Sequence, residues 1–469
     1  MMNKRQRRFK KARPAHTVLY RTIRPFREFM RIEASGGILV IICLIVALLW
    51  VNLPFGSTYD VIWETRFSIG LGSVIIDEPL GFWINDLLMA IFFFLIGLEI
   101  KRELLIGWLC SYEHAVLPVV AAVGGMVIPA SIYTLFNPPG SPGAAGWAIP
   151  MATDIAICLG ILNLFGNRIP TPTKVFLTTL AIVDDLGGIV IIGAFYSHGL
   201  HLEYLLLSAG LAALLIILNR LGVRKSLPYL MVGIALWTSM LISGIHPTLA
   251  GVLLAVSIPA TTKIDYEEFK DINDQLHGRL EKIVSCAPEA VDTKAFLNTA
   301  NTLEKACRDV EAPLQRTEIM LTPWVAFLIV PLFVLANAGV RIELSLLEIL
   351  SQPVTLGIVF GLVIGKPTGV LLTLWLVDKT GRIRIPDVIN RDLLVGVSLL
   401  SGIGFTVSLF ISGLSFVPGV LLESAKAGIL LAALISGVLA LIVLKSVLAK
   451  SSSQESKEKT EATPTVDTS

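Results

Sequence analysis

Long apolar runs alternate with short polar connections along nearly the whole chain. A helix rises about 1.5 Å per residue, so about 20 apolar residues match the hydrocarbon core of a bilayer. Twelve runs of about that length can be delimited, at 36–54, 83–99, 115–136, 147–165, 175–196, 203–219, 227–244, 246–259, 323–340, 354–377, 393–414 and 426–445. The eighth is short, and little marks its boundary with the seventh. Three stretches break the pattern. Residues 55–82 read as a polar outer segment whose alternating positions suit a hairpin. Residues 260–316 read as a charged cytoplasmic insert, helical in part, for example over Thr302–Val310. Residues 446–469 read as a structureless cytoplasmic tail, rich in Ser, Thr, Glu and Lys. The expected fold class is therefore an all-α membrane protein, with a basic arm over 1–35 and a transmembrane domain over 36–445.

Composition agrees with the pattern. Hydrophobic residues make up 54% of the 469 positions and charged residues 16%, where a soluble domain carries about 25% charged residues. The net charge of +2 matters less than its distribution. Eleven Lys and Arg and a single acid, Glu28, fall within the first 31 residues, a basic arm suited to lie near anionic lipid. The loops expected inside carry Lys101, Arg102, Arg220, Arg224, Lys225, Lys379, Arg382 and Arg384. Those expected outside carry only Arg66, Arg341 and Lys426. This asymmetry places both termini in the cytoplasm. The five cysteines form no C-x-x-C pair, so neither a disulfide framework nor a zinc site is expected.

Four charged residues lie where an apolar helix should have none: Asp154, the adjacent pair Asp184 and Asp185, and Lys366. A lone charge at the bilayer centre costs at least about 2.5–3.5 kcal/mol, on the order of 10 kcal/mol for four. They are therefore expected to cluster inside the bundle. One Asp–Lys pair accounts for two of them and leaves two carboxylates, whose hard oxygens suit protons or a hard cation. Adjacent helical residues point about 100° apart, so one member of the pair can face an ion path while the other faces Lys366. Carboxylates this close titrate as a unit.

The fourth and eleventh runs look interrupted. One reads Pro150-Met-Ala-Thr153-Asp154, the other Ser401-Gly402-Ile-Gly404-Phe405-Thr406. Pro removes a backbone donor and Gly weakens a helix. Non-helical backbone at membrane depth is tolerated only where it lines protein or a cavity. The breaks fall in corresponding members of two three-span units, runs 3–5 and 10–12, the pattern of an inverted repeat with a binding site at its centre.

The stretches Gly97–Glu103, Gly146–Ala156, Leu180–Gly187, Pro331–Gly339, Ile364–Pro367 and Gly402–Thr406 together resemble the NhaA-type sodium/proton antiporters, from about Gly36 to Leu444 without the 260–316 insert. That family is among those from which the rule about paired interrupted helices was drawn. The resemblance implies about twelve helices in inverted-topology repeats, with two interrupted helices crossing at mid-membrane in a bacterial inner membrane. It implies that Asp184 and Asp185 bind the proton and Na+, that Asp185 is the more direct Na+ ligand, and that Asp184 pairs with Lys366. It places Thr153 and Asp154 at the crossing, with Asp154 balancing helix N-termini and Lys366 balancing C-termini. It assigns pH response to Glu99, Glu103 and Glu318 at the cytoplasmic mouth. His246, in Ser243–Gly251, is expected to be structural.

The implied activity is export of Na+, and of Li+, in exchange for H+, driven by the proton gradient and serving pH and sodium homeostasis. No cofactor, nucleic acid or catalysis is expected. The partners are Na+ and H+ as substrates, membrane lipid, and a second copy of the chain. An intramembrane aspartyl protease is the alternative from another class. It needs aspartates on separate helices and a Gly-x-Gly-Asp motif that is absent here. A magnesium-dependent prenyltransferase would need further carboxylates where Leu-Gly-Gly follows the pair, and a channel would not need a lysine at its cation site.

Overall fold

The computed structural model describes residues 35–461 apart from 72–73, 198, 200, 287–292, 342–345 and 381–390. The N-terminal arm expected over 1–35 lies, but for Ser35, outside the described residues. The described residues are helical nearly throughout, and eleven helices among them are long and apolar enough to cross a membrane. A twelfth, Thr248–Ser257, is apolar but has 10 residues, about 15 Å of rise, half the hydrocarbon thickness. Its limits are local. Gly244, at φ 83°, ends the preceding helix in a conformation that favours glycine, and Ile258 leaves the helix in extended backbone before Pro259. The expected span 246–259 is thus a helix too short to cross alone.

Most of the other runs extend beyond their expected limits. Leu80–Leu105 and Pro313–Asn337 each add more than a turn at one end, and Pro353–Thr380 adds one residue at its start and three at its end. Their polar termini, such as Lys101–Glu103 and Gln315–Glu318, continue the helix past the apolar window. Each also contains a π-helical turn, at Trp83–Leu88, Val325–Ile329 and Gly361–Gly365. Such turns insert a residue and re-aim the side chains that follow. The outer segment does form a hairpin: β1 (Arg66–Leu71) pairs antiparallel with β2 (Val74–Pro79), in register Arg66 to Pro79. The insert folds as two amphipathic helices, Tyr266–Cys286 and Thr293–Val310, packed against each other. The last helix runs from Val420 to Glu461, past the expected end of its span at 445 and into the segment expected to be structureless. Residues 462–469 lie outside the described residues.

The interior holds one large apolar cluster around the interrupted segments and a smaller one around Trp83, Leu98, Tyr229 and Trp237. Small residues let helices meet closely, as membrane packing requires. A Cβ on Gly369 would lie 2.2 Å from the carbonyl oxygen of Gly124. That contact joins Tyr112–Phe136 to the helix carrying Lys366.

Candidate functional site

The two interruptions lie against each other. Residues Ala144–Met151 form a 3-10 segment, the chain extends through Ala152–Asp154, and the helix resumes at Ile155–Asn163. The partner breaks between Arg391–Ser401 and Phe405–Ser415. The Asp154 amide donates to the Ile403 carbonyl at 2.7 Å, and the Ser408 hydroxyl donates to the Ile149 carbonyl at 2.7 Å. A Cβ on Gly404 would sit 2.9 Å from the Ala152 carbonyl oxygen, so glycine here permits the backbones to touch.

Each break leaves a helix N-terminus and a C-terminus inside the protein, with partial positive and negative charge respectively. Asp154 serves both N-termini. Its Oδ1 accepts the Ile157 amide at 3.1 Å and caps Ile155–Asn163. Its Oδ2 accepts the Thr406 amide at 3.2 Å and the Thr406 hydroxyl at 2.8 Å, at the start of Phe405–Ser415. The C-terminal ends meet donors. The Lys366 ammonium donates to the Met151 carbonyl, and the Thr153 hydroxyl has the Ser401 carbonyl at 3.0 Å.

Asp184 and Asp185 occupy the middle of Thr171–Phe195, and both are buried. Asp184 Oδ2 receives the Lys366 ammonium at 2.8 Å and lies 2.7 Å from the Thr153 hydroxyl, whose single hydrogen it shares with the Ser401 carbonyl. Lys366 is fully buried, directly after the π-turn Gly361–Gly365 that sets its direction. Asp185 points elsewhere. With Asp154, Thr153, Thr406 and Glu99 it lines a cavity of about 170 Å³ whose remaining wall is mostly apolar, including Val40, Phe92 and Val325. Asp184 Oδ1 and Asp185 Oδ1 are buried with no hydrogen-bond partner among the described residues. A buried carboxylate oxygen without a donor is expensive, and a proton or a hard cation supplies what it lacks.

The three glutamates divide. Glu99 comes to the cavity beside Asp185. Glu103 and Glu318 do not. They flank the Arg102 guanidinium, at 3.1 Å and 2.9 Å. His246 sits apart from the carboxylate cluster. Its Nδ1 lies 2.8 Å from the Thr248 hydroxyl, its Nε2 lies 3.6 Å from Asp86, and its ring meets Phe410 edge-on. Sequence reasoning did not name Thr406 as a site residue, although it lies inside the Gly402–Thr406 stretch. The carbonyls of Met151, Ser401 and Ile403 have no side-chain signature.

Comparison with known proteins follows the same lines. The family model described as Na+/H+ antiporter 1 matches residues 27–444. A Na(+)/H(+) antiporter NhaA of Oleidesulfovibrio alaskensis is 44% identical over 87% of this chain and 91% of its own length. One from Koribacter versatilis is 44% identical over 90% of this chain and 91% of its own. Among solved structures, the sodium proton antiporter MjNhaP1 of Methanocaldococcus jannaschii aligns with TM-score 0.45 and 13% identity over 92% of this chain and 99% of that one, too distant a likeness to bear on the site. Matched across nearly its whole membrane domain, this multi-pass membrane protein belongs to the Na+/H+ antiporter 1 family.

Proposed function

We propose that the chain exchanges Na+ for H+, both ions competing for Asp184 and Asp185, and that it exports Na+ and Li+ from a bacterial cytoplasm at the expense of the proton gradient. The observation that carries this is the asymmetry of the pair. Asp184 is held through its Oδ2 by Lys366 and Thr153, whereas Asp185 lines the cavity and has no ion-pair partner among the described residues; each of the two keeps a buried Oδ1 without a donor there.

The chemistry follows from charge. With both ions absent, Asp154, Asp184, Asp185 and Lys366 sum to about −2, a costly charge in a water-poor interior. A proton or Na+ at Asp185 lowers it. A bound Na+ also weakens the hold of Asp184 on Lys366, because the ammonium and the metal ion compete for carboxylate charge. The loaded forms are therefore the ones able to turn from one side of the membrane to the other, by movement of one helix bundle against another. The empty form turns rarely, and the two fluxes are coupled. Asp154 caps two helix N-termini at once and so holds the crossing together. Glu99 stands at the cavity as a proton donor or acceptor for Asp185, and the Glu103–Arg102–Glu318 group tunes access from the cytoplasm.

Purified protein in proteoliposomes tests the proposal. An imposed Na+ gradient should drive proton movement in wild type, and Asp185→Asn should abolish it with insertion intact. Robust exchange by the variant would end the assignment. The protease alternative has no support in the adjacent placement of the aspartates. The same reading puts the protein in a bacterial inner membrane, with both termini cytoplasmic, lipid around it and a second copy as its partner; the excess of Lys and Arg in the loops taken as internal supports that orientation.

A further inference from the structure

Where the insert meets the membrane helices, a cavity of about 430 Å³ opens between the turn after Leu202–Arg220, the segment after Ser257, and the helices Thr293–Val310 and Pro313–Asn337. Its wall carries six cations, Arg224, Lys225, Lys263, Lys305, Arg308 and Arg316, and two carboxylates, Asp309 and Glu311. Two of the cations are already paired: Lys263 with Asp309 at 2.9 Å, and Arg308 with Glu304 one turn before it. Arg224 donates to the Thr261 carbonyl at 2.7 Å, which fixes its side chain without neutralising it. Arg224, Lys225, Lys305 and Arg316 have no carboxylate within ion-pair distance among the described residues.

Two helix N-termini add to this field. Ser226 and Pro313 begin the helices Ser226–Ser243 and Pro313–Asn337, both line the cavity, and neither helix has a side-chain cap at its start. Helix N-termini carry partial positive charge. The walls are tied in place: Lys263 and Ile264 donate their amides to the Asp309 carbonyl, and the Leu314 amide donates to the Pro259 carbonyl at 3.1 Å. Cations gathered in a cleft repel one another and concentrate anions.

We propose that this cavity is a binding site for a phosphate-bearing polyanion that clamps the insert to the membrane domain. Lysines serve as point charges for phosphate oxygens and the two arginines as forked donors. A monovalent anion leaves most of the field unsatisfied, and several phosphate oxygens match it. The phosphate belongs to a soluble cytosolic compound or to a lipid headgroup, and the probes separate the two.

The test uses the full-length protein in detergent, in potassium buffer so that no transported ion is added. Potassium tripolyphosphate is titrated calorimetrically, and vesicles of phosphatidylglycerol or phosphatidylcholine are compared by thermal stabilisation. Wild type should bind one tripolyphosphate, more weakly as potassium chloride is added. Lys305→Gln/Arg316→Gln should weaken binding by about tenfold or more, because each lost contact is a charge-assisted hydrogen bond. Lys270→Gln/Arg279→Gln, on the other insert helix and outside the cavity, should change nothing. The first variant should also exchange Na+ for H+ at the wild-type rate. Stabilisation by phosphatidylglycerol alone, dependent on Lys305 and Arg316, keeps the phosphate site and makes lipid its source. Failure of both probes on wild type, wild-type binding by the cavity variant, or equal loss in the control variant would each overturn the proposal.

Discussion

Replacing Lys366 by methionine removes the ammonium and keeps most of the apolar stem. The ammonium is fully buried, 2.8 Å from Asp184 Oδ2, and also donates to the Met151 carbonyl. Its loss leaves an ionised Asp184 with the Thr153 hydroxyl as its remaining donor. Breaking one side of a buried pair typically destabilises by about 3–5 kcal/mol, chiefly because the surviving charge is uncompensated. The similar length of the methionine stem keeps any cavity contribution small. The deficit should be largest at alkaline pH and should shrink as pH falls, because a proton on Asp184 removes the orphaned charge. Adding Asp184→Asn should recover much of the loss, since removing both partners costs far less than removing one. The assay is thermal unfolding of the purified single and double variants across a pH series. A Lys366→Met protein as stable as wild type at every pH, or one that Asp184→Asn fails to rescue, would refute the pairing argument.

Further outcomes follow from other contacts. Asp154→Ala should lower thermal stability and exchange together, at about 1 kcal/mol for each of the two helix N-termini it caps, whereas Asp154→Asn should lose less stability; an Ala variant with wild-type unfolding would contradict the shared-cap assignment. Replacing most of 263–312 by a short flexible linker should leave exchange intact in proteoliposomes, because Lys263 and Asp309 already sit side by side and loop length itself costs little; normal insertion with no transport would make the insert part of the machine. Arg102→Ala should shift the pH dependence of exchange, because it separates Glu103 from Glu318; an unchanged pH profile would remove that group from the response.

The charged residues of the site were legible because membrane depth makes Asp154, Asp184, Asp185 and Lys366 anomalous before any contact is known. The breaks were legible because Pro150, Gly402 and Gly404 weaken helix where a continuous span was otherwise due. Which aspartate faces Lys366 could not be settled by helical spacing, which says only that the two diverge. The π-turn at Gly361–Gly365 fixes the direction of Lys366, and a run of Gly, Leu, Val and Ile does not advertise it. The amide and carbonyl partners of the crossing segments exist at every position, so only packing reveals which are used. The eighth run is longer in sequence, at 246–259, than the ten residues that form helix, because Pro247 and Ile258–Pro259 continue its uncharged stretch at both ends. The cation cavity escaped notice because its residues are scattered over about 90 positions between Gly222 and Arg316.

The central claim is that Na+ and H+ share Asp184 and Asp185. It is tested most directly by titrating exchange with Na+ at several pH values, without membrane potential. If a proton must leave before Na+ enters, the apparent dissociation constant should rise by about one log unit per pH unit of acidification for each proton displaced, each such unit being about 1.36 kcal/mol. The slope should flatten at alkaline pH, where the pair is already free of protons. A sensor separate from the site would change the maximal rate and leave the affinity alone. An apparent Na+ affinity that stays constant across the acid range would contradict the shared site, even in a protein that exchanges the two ions.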